Sequence, residues 1–373
     1  MKIFAAALAG ALSCSTSAFA LDVSQAVYGT LPDGHTVHVF TLTNDHGMSA
    51  KVLDLGGYIT EINVPGRDGK TANVVFELPN LAAYEHAGPF NSLVGRYANR
   101  LMHGFTLDGK HYALPADKNG VTIHGGRPGY FSHVLDAKTF KRADAAGVEM
   151  TLVSPDGDQG FPGTLTIHLT YSIDEKNDFR IDYRATTDKP TVINLTNHTY
   201  FNMAGEGSGS VENEYLQLMA DSYSPTDKFQ IPLGAAAPVA GTPFDFRTAK
   251  PIGRDLRSSD PQMVIGYGYD HNFILRHSAP GALDLAARLY DPAGGRQLEL
   301  YTTEPGVQVY SSNHMNGTLV SAAGTTFRQT DGLALETEHY PDSPNHPDFP
   351  STVLRPGQVF TSTTMFHFSV RPQ

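Results

Sequence analysis

The sequence predicts an all-β fold, a large antiparallel β-sandwich, from three features of the 373-residue chain: period-two hydrophobic runs, turn residues between them, and scarce helical patterning. The alternation covers Thr36 to Leu42, Leu165 to Ile173, Phe179 to Ala185, Gln297 to Thr302, Val307 to Ser311 and Val359 to Val370. Successive side chains of a strand point to opposite faces, so such runs read as strands buried on one side. Asp108-Gly109, Asp156-Gly157, Pro292-Ala293-Gly294-Gly295 and Asp331-Gly332 punctuate them, within a total of 36 Gly and 24 Pro. This turn chemistry favours hairpins and therefore antiparallel pairing. Only Asn80 to Glu85 and Ile252 to Leu256 read as a turn or two of helix. Gly205 to Ser210 resembles a loop tip and Gly234 to Gly241 a small-residue connector. Neither marks a domain boundary, and residues 21–373 are expected to form a single sandwich domain with long loops.

Residues 1–20 read differently. Met1-Lys2, the apolar run Ile3 to Leu12 and the small-residue ending Ala18-Phe19-Ala20 form a signal-peptide pattern, with cleavage expected before Leu21. The expected location is periplasmic or secreted. The only cysteine, Cys14, lies in this leader, so the mature chain would have no disulfide framework and no thiolate chemistry. A lipid anchor on Cys14 is disfavoured by Ala11, where Leu is usual three residues before, and by the lack of a polar tether after it.

A formal net charge of −11, one unit more negative without Lys2, argues against nucleic acid as a partner. Beyond the leader no apolar stretch reaches the length of a membrane span, so no membrane partner is expected after cleavage. There is no phosphate-binding Gly-x-x-x-x-Gly-Lys loop, no His-Glu-x-x-His and no Gly-x-Ser-x-Gly elbow, which removes support for nucleotide, zinc-protease and serine-hydrolase chemistry.

Five segments instead place charged, amide or imidazole groups in apolar surroundings. Gly95-Arg96-Tyr97-Ala98-Asn99-Arg100-Leu101 carries two guanidiniums, and buried Arg implies a paired carboxylate or a polar ligand. Ile123-His124-Gly125-Gly126 sets an imidazole before glycines that allow close backbone approach, although a structural turn explains it as well. In Val192 to Asn202, amides and His198 interrupt a strand-like run; polar groups there must be hydrogen-bonded or functional, and a lone His is more often structural. Gly268-Tyr269-Asp270-His271-Asn272-Phe273 precedes a strand. In Gly332 to Asp342, alternation puts Leu333, Leu335 and Thr337 on one face and Ala334, Glu336 and Glu338 on the other, and a carboxylate inside such a strand is costly unless used.

Taken together and in order, these segments resemble the galactose mutarotase (aldose 1-epimerase) family from about Tyr28 to the C-terminus. The motifs are Gly95-Arg96-x-Ala98-Asn99-Arg100, Asn194-Leu195-Thr196-Asn197-His198-x-Tyr200-Phe201-Asn202, Asp270-His271-Asn272-Phe273, Pro305-Gly306-Val307-Gln308 and Leu335-Glu336-Thr337 followed by Pro341-Asp342. The resemblance implies a mutarotase-like supersandwich with an open sugar cleft and a small-molecule aldose substrate, with no cofactor and no metal. It places the general base on Glu336, the general acid on His198, and sugar-binding groups on Asn99, Arg100, His124, Asp270 and Gln308, with Tyr200 lining the site. Two departures stand out: Glu304 and Glu338 occupy positions where the family usually has Gln. If Glu338 pointed into the pocket, two neighbouring carboxylates would raise each other's pKa and blur which is the base.

Rival readings remain on the residues alone. A glycoside hydrolase could pair Glu336 with Asp270, and a non-catalytic periplasmic sugar-binding module would need the Arg, Asn and Asp groups without an acid and a base. A hexose-phosphate epimerase would require cations for the phosphate, of which no cluster is seen.

Overall fold

The alternating runs all form strands in the computed structural model, which describes residues 21–372; the leader and Cys14 lie outside the described residues. Leu165–Ile173 matches its expected bounds, and Thr36–Thr43, Asp178–Thr187, Arg296–Thr302, Gly306–Tyr310 and Phe360–Val370 differ by a residue or two at their ends. Among the described residues the chain builds three main sheets, of nine, six and five strands, with antiparallel pairing throughout. The nine-stranded sheet runs from Asp136–Lys141 at one edge through Leu165–Ile173, Phe360–Val370 and Arg296–Thr302 to Lys250–Pro251. The six-stranded sheet runs Tyr200–Phe201, Leu333–Glu338, Gly306–Tyr310, Asp270–Leu275, Ala220–Tyr223, Ala237–Pro238.

These two sheets make the sandwich because each has one apolar face. Ile167, Leu169, Leu298 and Phe366 of the first share one continuous buried cluster with Phe201, Phe273, Val307, Val309, Leu333 and Leu335 of the second. Phe201 and Phe366 meet edge to face at 5.0 Å, and the Thr337 and Thr364 hydroxyls hydrogen-bond across the interface. Burying this much apolar surface, at about 25 cal/mol per Å², is the main force holding the layers together. The five-stranded sheet of Asp22–Thr30, Thr36–Thr43, Ser49–Leu53, Ile59–Pro65 and Thr71–Asn73 adds Phe40, Leu42, Val52 and Ile62 to the same cluster.

Turn chemistry succeeds where it is local. Asp108 and Gly109, both at positive φ (51° and 77°), close a two-residue hairpin between Phe105–Leu107 and Lys110–Tyr112. Pro292 to Gly295 join Asp284–Tyr290 to Arg296–Thr302. Asp331-Gly332 does not make a hairpin. Thr326–Arg328 pairs back on Asn316–Val320, while Leu333–Glu338 enters the six-stranded sheet. Gly332 is there for close packing, since a Cβ would lie 2.5 Å from the Phe76 ring. The helical turns appear as Leu81–His86, with the Asn80 side chain accepting from the Ala83 N–H at 3.1 Å, and as the 3₁₀ turn Ile252–Arg254. Pro261–Gly266, capped by Asp260 with Pro at its first position, is a further short helix not among the expected helical turns, although its start signal is clear. Among the described residues no helix is long and apolar enough to cross a membrane.

Candidate active site

The outward face of the six-stranded sheet carries a polar row that its register dictates. Asn272 pairs with Gln308 and Gln308 with Glu336; Asp270 pairs with Tyr310, Tyr310 with Ala334, and Ala334 with Tyr200. Paired residues share a face, and neighbours along a strand alternate. With Val307, Val309, Leu333, Leu335, Phe201 and Phe273 committed to the core, Asp270, Gln308, Tyr310, Glu336 and Tyr200 must line the other side. The expected alternation of Leu333 to Glu338 is therefore met.

A second wall comes from two loops locked together. The strands Arg100–Met102 and Val121–Ile123 pair, and just beyond them the His124 N–H donates to the Asn99 carbonyl at 2.8 Å. In return the Asn99 N–H donates to His124 Nδ1 at 3.3 Å. Both residues sit at positive φ, 58° and 52°, a costly conformation for His that the mutual bonds sustain. Because Nδ1 accepts, the neutral ring carries its proton on Nε2, ready to donate. Gly125 (φ 80°) lets this loop reach the neighbouring segment, since a Cβ there would fall 2.3 Å from the Gly95 carbonyl oxygen. We expect Gly125→Ala to destabilise the fold by roughly 2–4 kcal/mol and to displace His124; a thermal melt indistinguishable from wild type would contradict this.

Between the walls lies a cavity of about 250 Å³. Arg100 bridges it at one side, donating to Asp270 Oδ2 at 3.2 Å, to Asn99 Oδ1 at 3.0 Å and to Gln230 Oε1 at 2.6 Å. Asp270 also accepts from Gln230 Nε2 and Gln308 Nε2, each at 2.6 Å. Burial would raise the Asp270 pKa, but the Arg100 charge and these two amides outweigh it and hold the carboxyl below its ordinary range. Asp270 is thus an anion fixed in place.

At the floor, His198 Nε2 stands 3.5 Å from Glu336 Oε1, and both side chains are more than nine-tenths buried. The His198 ring stacks on Tyr200 at 4.8 Å and meets Tyr310 edge-on at 6.0 Å. Its Nδ1 and the Glu336 Oε2 have no protein partner. Burial drives both groups toward their neutral forms, lowering the His198 pKa to about 4, with Asp270 opposing, and raising that of Glu336 well above the carboxylate range. The ligand atoms of His124, His198 and Glu336 lie within 4.8 Å of one another, close enough to surround a cation. The His124 tautomer argues against it, because a ring whose Nδ1 takes the Asn99 N–H has a protonated Nε2 and no second lone pair for a metal.

A family model described as aldose 1-epimerase matches residues 38–367. The chain belongs to the aldose 1-epimerase family. It is 39% identical to the galactose mutarotase of Rattus norvegicus over 94% of this chain and 99% of that one, and 38% identical to the aldose 1-epimerase of Escherichia coli (strain K12) over 90% and 96%. Among solved structures it superposes on galactose 1-epimerase from Lactobacillus acidophilus NCFM with a TM-score of 0.84, at 32% identity, covering 95% of this chain and all of that one.

All eight residues expected at the aldose 1-epimerase site are brought together: Asn99, Arg100, His124, His198, Tyr200, Asp270 and Glu336 border the cavity, and Gln308 braces Asp270 from the strand between. Other polar residues of the same motifs are structural. Arg96, expected to face a carboxylate or ligand, instead donates to the carbonyls of Pro162, Gly163 and Ser154 and to the Ser154 and Thr191 hydroxyls. Asn194 holds the His339 backbone, Asn197 the Tyr171 hydroxyl and Asn202 the carbonyls of Gly209 and Asp331. Glu304 accepts from His339 Nδ1 at 2.6 Å; burial works against the imidazolium, but the Glu304 charge and bond raise its pKa. Glu338 shares the face of Glu336 yet does not line the cavity, and its Oε1 accepts from Asn99 Nδ2 at 2.8 Å. Two further residues meet the site without being named from the sequence: Gln230, which a polar loop delivers to Asp270 with no local signal, and Tyr310, for which the signal was present because alternation over Val307 to Ser311 puts it on the face of Gln308.

Proposed function

We propose that this chain interconverts the α and β anomers of a free hexose such as galactose or glucose, with Glu336 as general base and His198 as general acid. The observation that carries the reading is the convergence of His198 Nε2 and Glu336 Oε1 at 3.5 Å on the cavity floor. The hydroxyl oxygen O1 and the ring oxygen O5 of an aldose are both bonded to C1, so the groups that exchange protons with them must also converge. Opening removes a proton from O1–H and adds one to O5. The enzyme's own proton count is unchanged, and a pair holding one proton between two buried sites meets that need. The roles assigned require that proton on His198 when sugar is bound. After rotation about C1–C2 the same pair acts in reverse and closes the ring to the other anomer. His124 Nε2–H and the Arg100 guanidinium are placed to donate to sugar oxygens where charge shifts, and anionic Asp270 to accept from a hydroxyl.

The hydrolase reading needs Asp270 as a second free carboxyl, whereas Arg100, Gln230 and Gln308 already claim its oxygens. The direct test is optical rotation of freshly dissolved α-glucose and α-galactose with chelator-treated protein. Acceleration over buffer is expected; none, or a loss that a divalent cation restores, would sink the reading.

The pair also predicts a pH profile. A second proton, on His198, leaves no base, so kcat/KM should hold its plateau well below the ordinary imidazole range and fall only near pH 4. An acid limb between about pH 6 and 7, the range of an unperturbed imidazole, would assign it to another group. We propose further that the protein is exported, which the residues 1–20 pattern supports; N-terminal sequencing of protein from the medium or periplasm should begin at Leu21.

A further inference from the structure

Three buried carboxylates, Glu304, Glu336 and Glu338, lie close together beneath the site, with only Glu336 bordering the cavity, and two of them have a cationic or ionisable partner. Glu304 has His339 at 2.6 Å and Glu336 has His198 at 3.5 Å. Glu338, fully buried, makes no ion pair among the described residues; its Oε1 takes the Asn99 amide and its Oε2 has no protein partner. The titratable and charged groups facing it are Glu336 from its own strand, Glu304 from the turn ahead of Gly306–Tyr310, and Arg100 and Tyr97 from the Gly95 to Leu101 segment. Two of these four are acids of the same sign, and Arg100 is already bound to Asp270. A desolvated anion there would carry one oxygen with no donor beside like charges, which is far costlier than a neutral acid with the same gap.

We propose that Glu338 is a neutral carboxylic acid over the working pH range and serves as a positioning residue. Its carbonyl oxygen fixes the Asn99 side chain. Asn99 in turn holds Arg100 through Oδ1 at 3.0 Å and His124 through its backbone N–H at 3.3 Å. One buried acid thereby sets two groups that the sugar meets, without adding a second charge beside Glu336. Burial, with Glu336 second, pushes its pKa in the direction this requires. On this assignment an amide is its closest substitute, since both present a carbonyl oxygen to Asn99 and neither is charged.

This inference rests on the reading of Glu336 and His198 for its kinetic arm but not for its spectroscopic one. Infrared difference spectra of wild type against E338Q at neutral pH should show the C=O stretch of one protonated, buried carboxyl lost in the variant. A carboxylate band lost in its place overturns the proposal, whatever the enzyme does. In kinetics, the alkaline limb of kcat/KM should stay where it is in E338Q, because a neutral group replaces a neutral group. Were Glu338 ionised, removing its charge would lower the Glu336 pKa and move that limb to lower pH by about a unit, as for close like charges. E338A, which drops the Asn99 bond, should raise KM about tenfold over E338Q, the cost of one such hydrogen bond, with a smaller change in kcat. Equal KM values for the two variants would overturn the positioning role.

Discussion

Glu336→Gln should lose at least 10²-fold in kcat, toward the upper end of the roughly 10² to 10⁴ that a positioned acid–base group contributes. The amide keeps the shape of the carboxyl but cannot take the O1 proton. Sugar affinity should stay within about an order of magnitude, because the groups proposed to grip the ring, Arg100, Asp270 and His124, are held together directly or through Asn99 and independently of Glu336. Stability should also change little. Burial already drives Glu336 toward its neutral form, so a neutral amide of equal volume removes no ion pair that the fold depends on. The measurement is optical rotation for turnover beside titration calorimetry for binding. A variant keeping more than about a tenth of wild-type kcat, far outside the expected range, removes Glu336 as the base.

His198→Asn is the harder case, since a buried His in a strand-like run is usually structural. The surroundings separate the two roles. A structural His uses its ring nitrogens to tie elements together, whereas here Nδ1 has no protein partner and Nε2 stands 3.5 Å from Glu336 Oε1 without a hydrogen bond to any other element. The ring is held instead by its faces and edges, against Tyr200, Tyr310 and His124 at 4.8, 6.0 and 5.4 Å. Asn forfeits part of that packing, and some loss of thermal stability is expected. At a temperature where circular dichroism shows the variant folded, kcat should still fall roughly 10²-fold or more while affinity changes far less. If folded His198→Asn keeps more than about a tenth of wild-type kcat, the proton comes from elsewhere, and His124, with its Nε2–H facing the cavity, is the next candidate.

Legibility followed the range of the physics involved. The strand Leu333–Glu338 was readable to the residue, because period-two geometry is local and a single committed core face fixes the other. The same rule applied to Val307 to Ser311 puts Gln308 and Tyr310 on one side of the sheet, although Gln308 was named only through the resemblance. It did not separate Arg96 from Arg100. Both are guanidiniums in one apolar segment, but Arg96 ends among backbone carbonyls of Ser154, Pro162 and Gly163, and Arg100 beside Asp270. Gln230 was invisible because its role depends on a loop arriving next to Asp270, forty residues away.

The sequence by itself determined the β architecture, the faces of its strands and, through motifs in a characteristic order, the seven residues that border the cavity and Gln308, which braces one of them. Only the tertiary structure decided their surroundings, and with them the direction in which each protonation equilibrium is pushed. Hydrophobic alternation acts between neighbours, but desolvation and Coulomb energy depend on everything within several ångströms, whatever its place in the chain. Hence burial at the sandwich surface sets His198 low and Glu336 high, the Asn99–His124 embrace picks the imidazole tautomer, and Glu338, two residues from Glu336 on the same face, turns to Asn99 and not to the cavity.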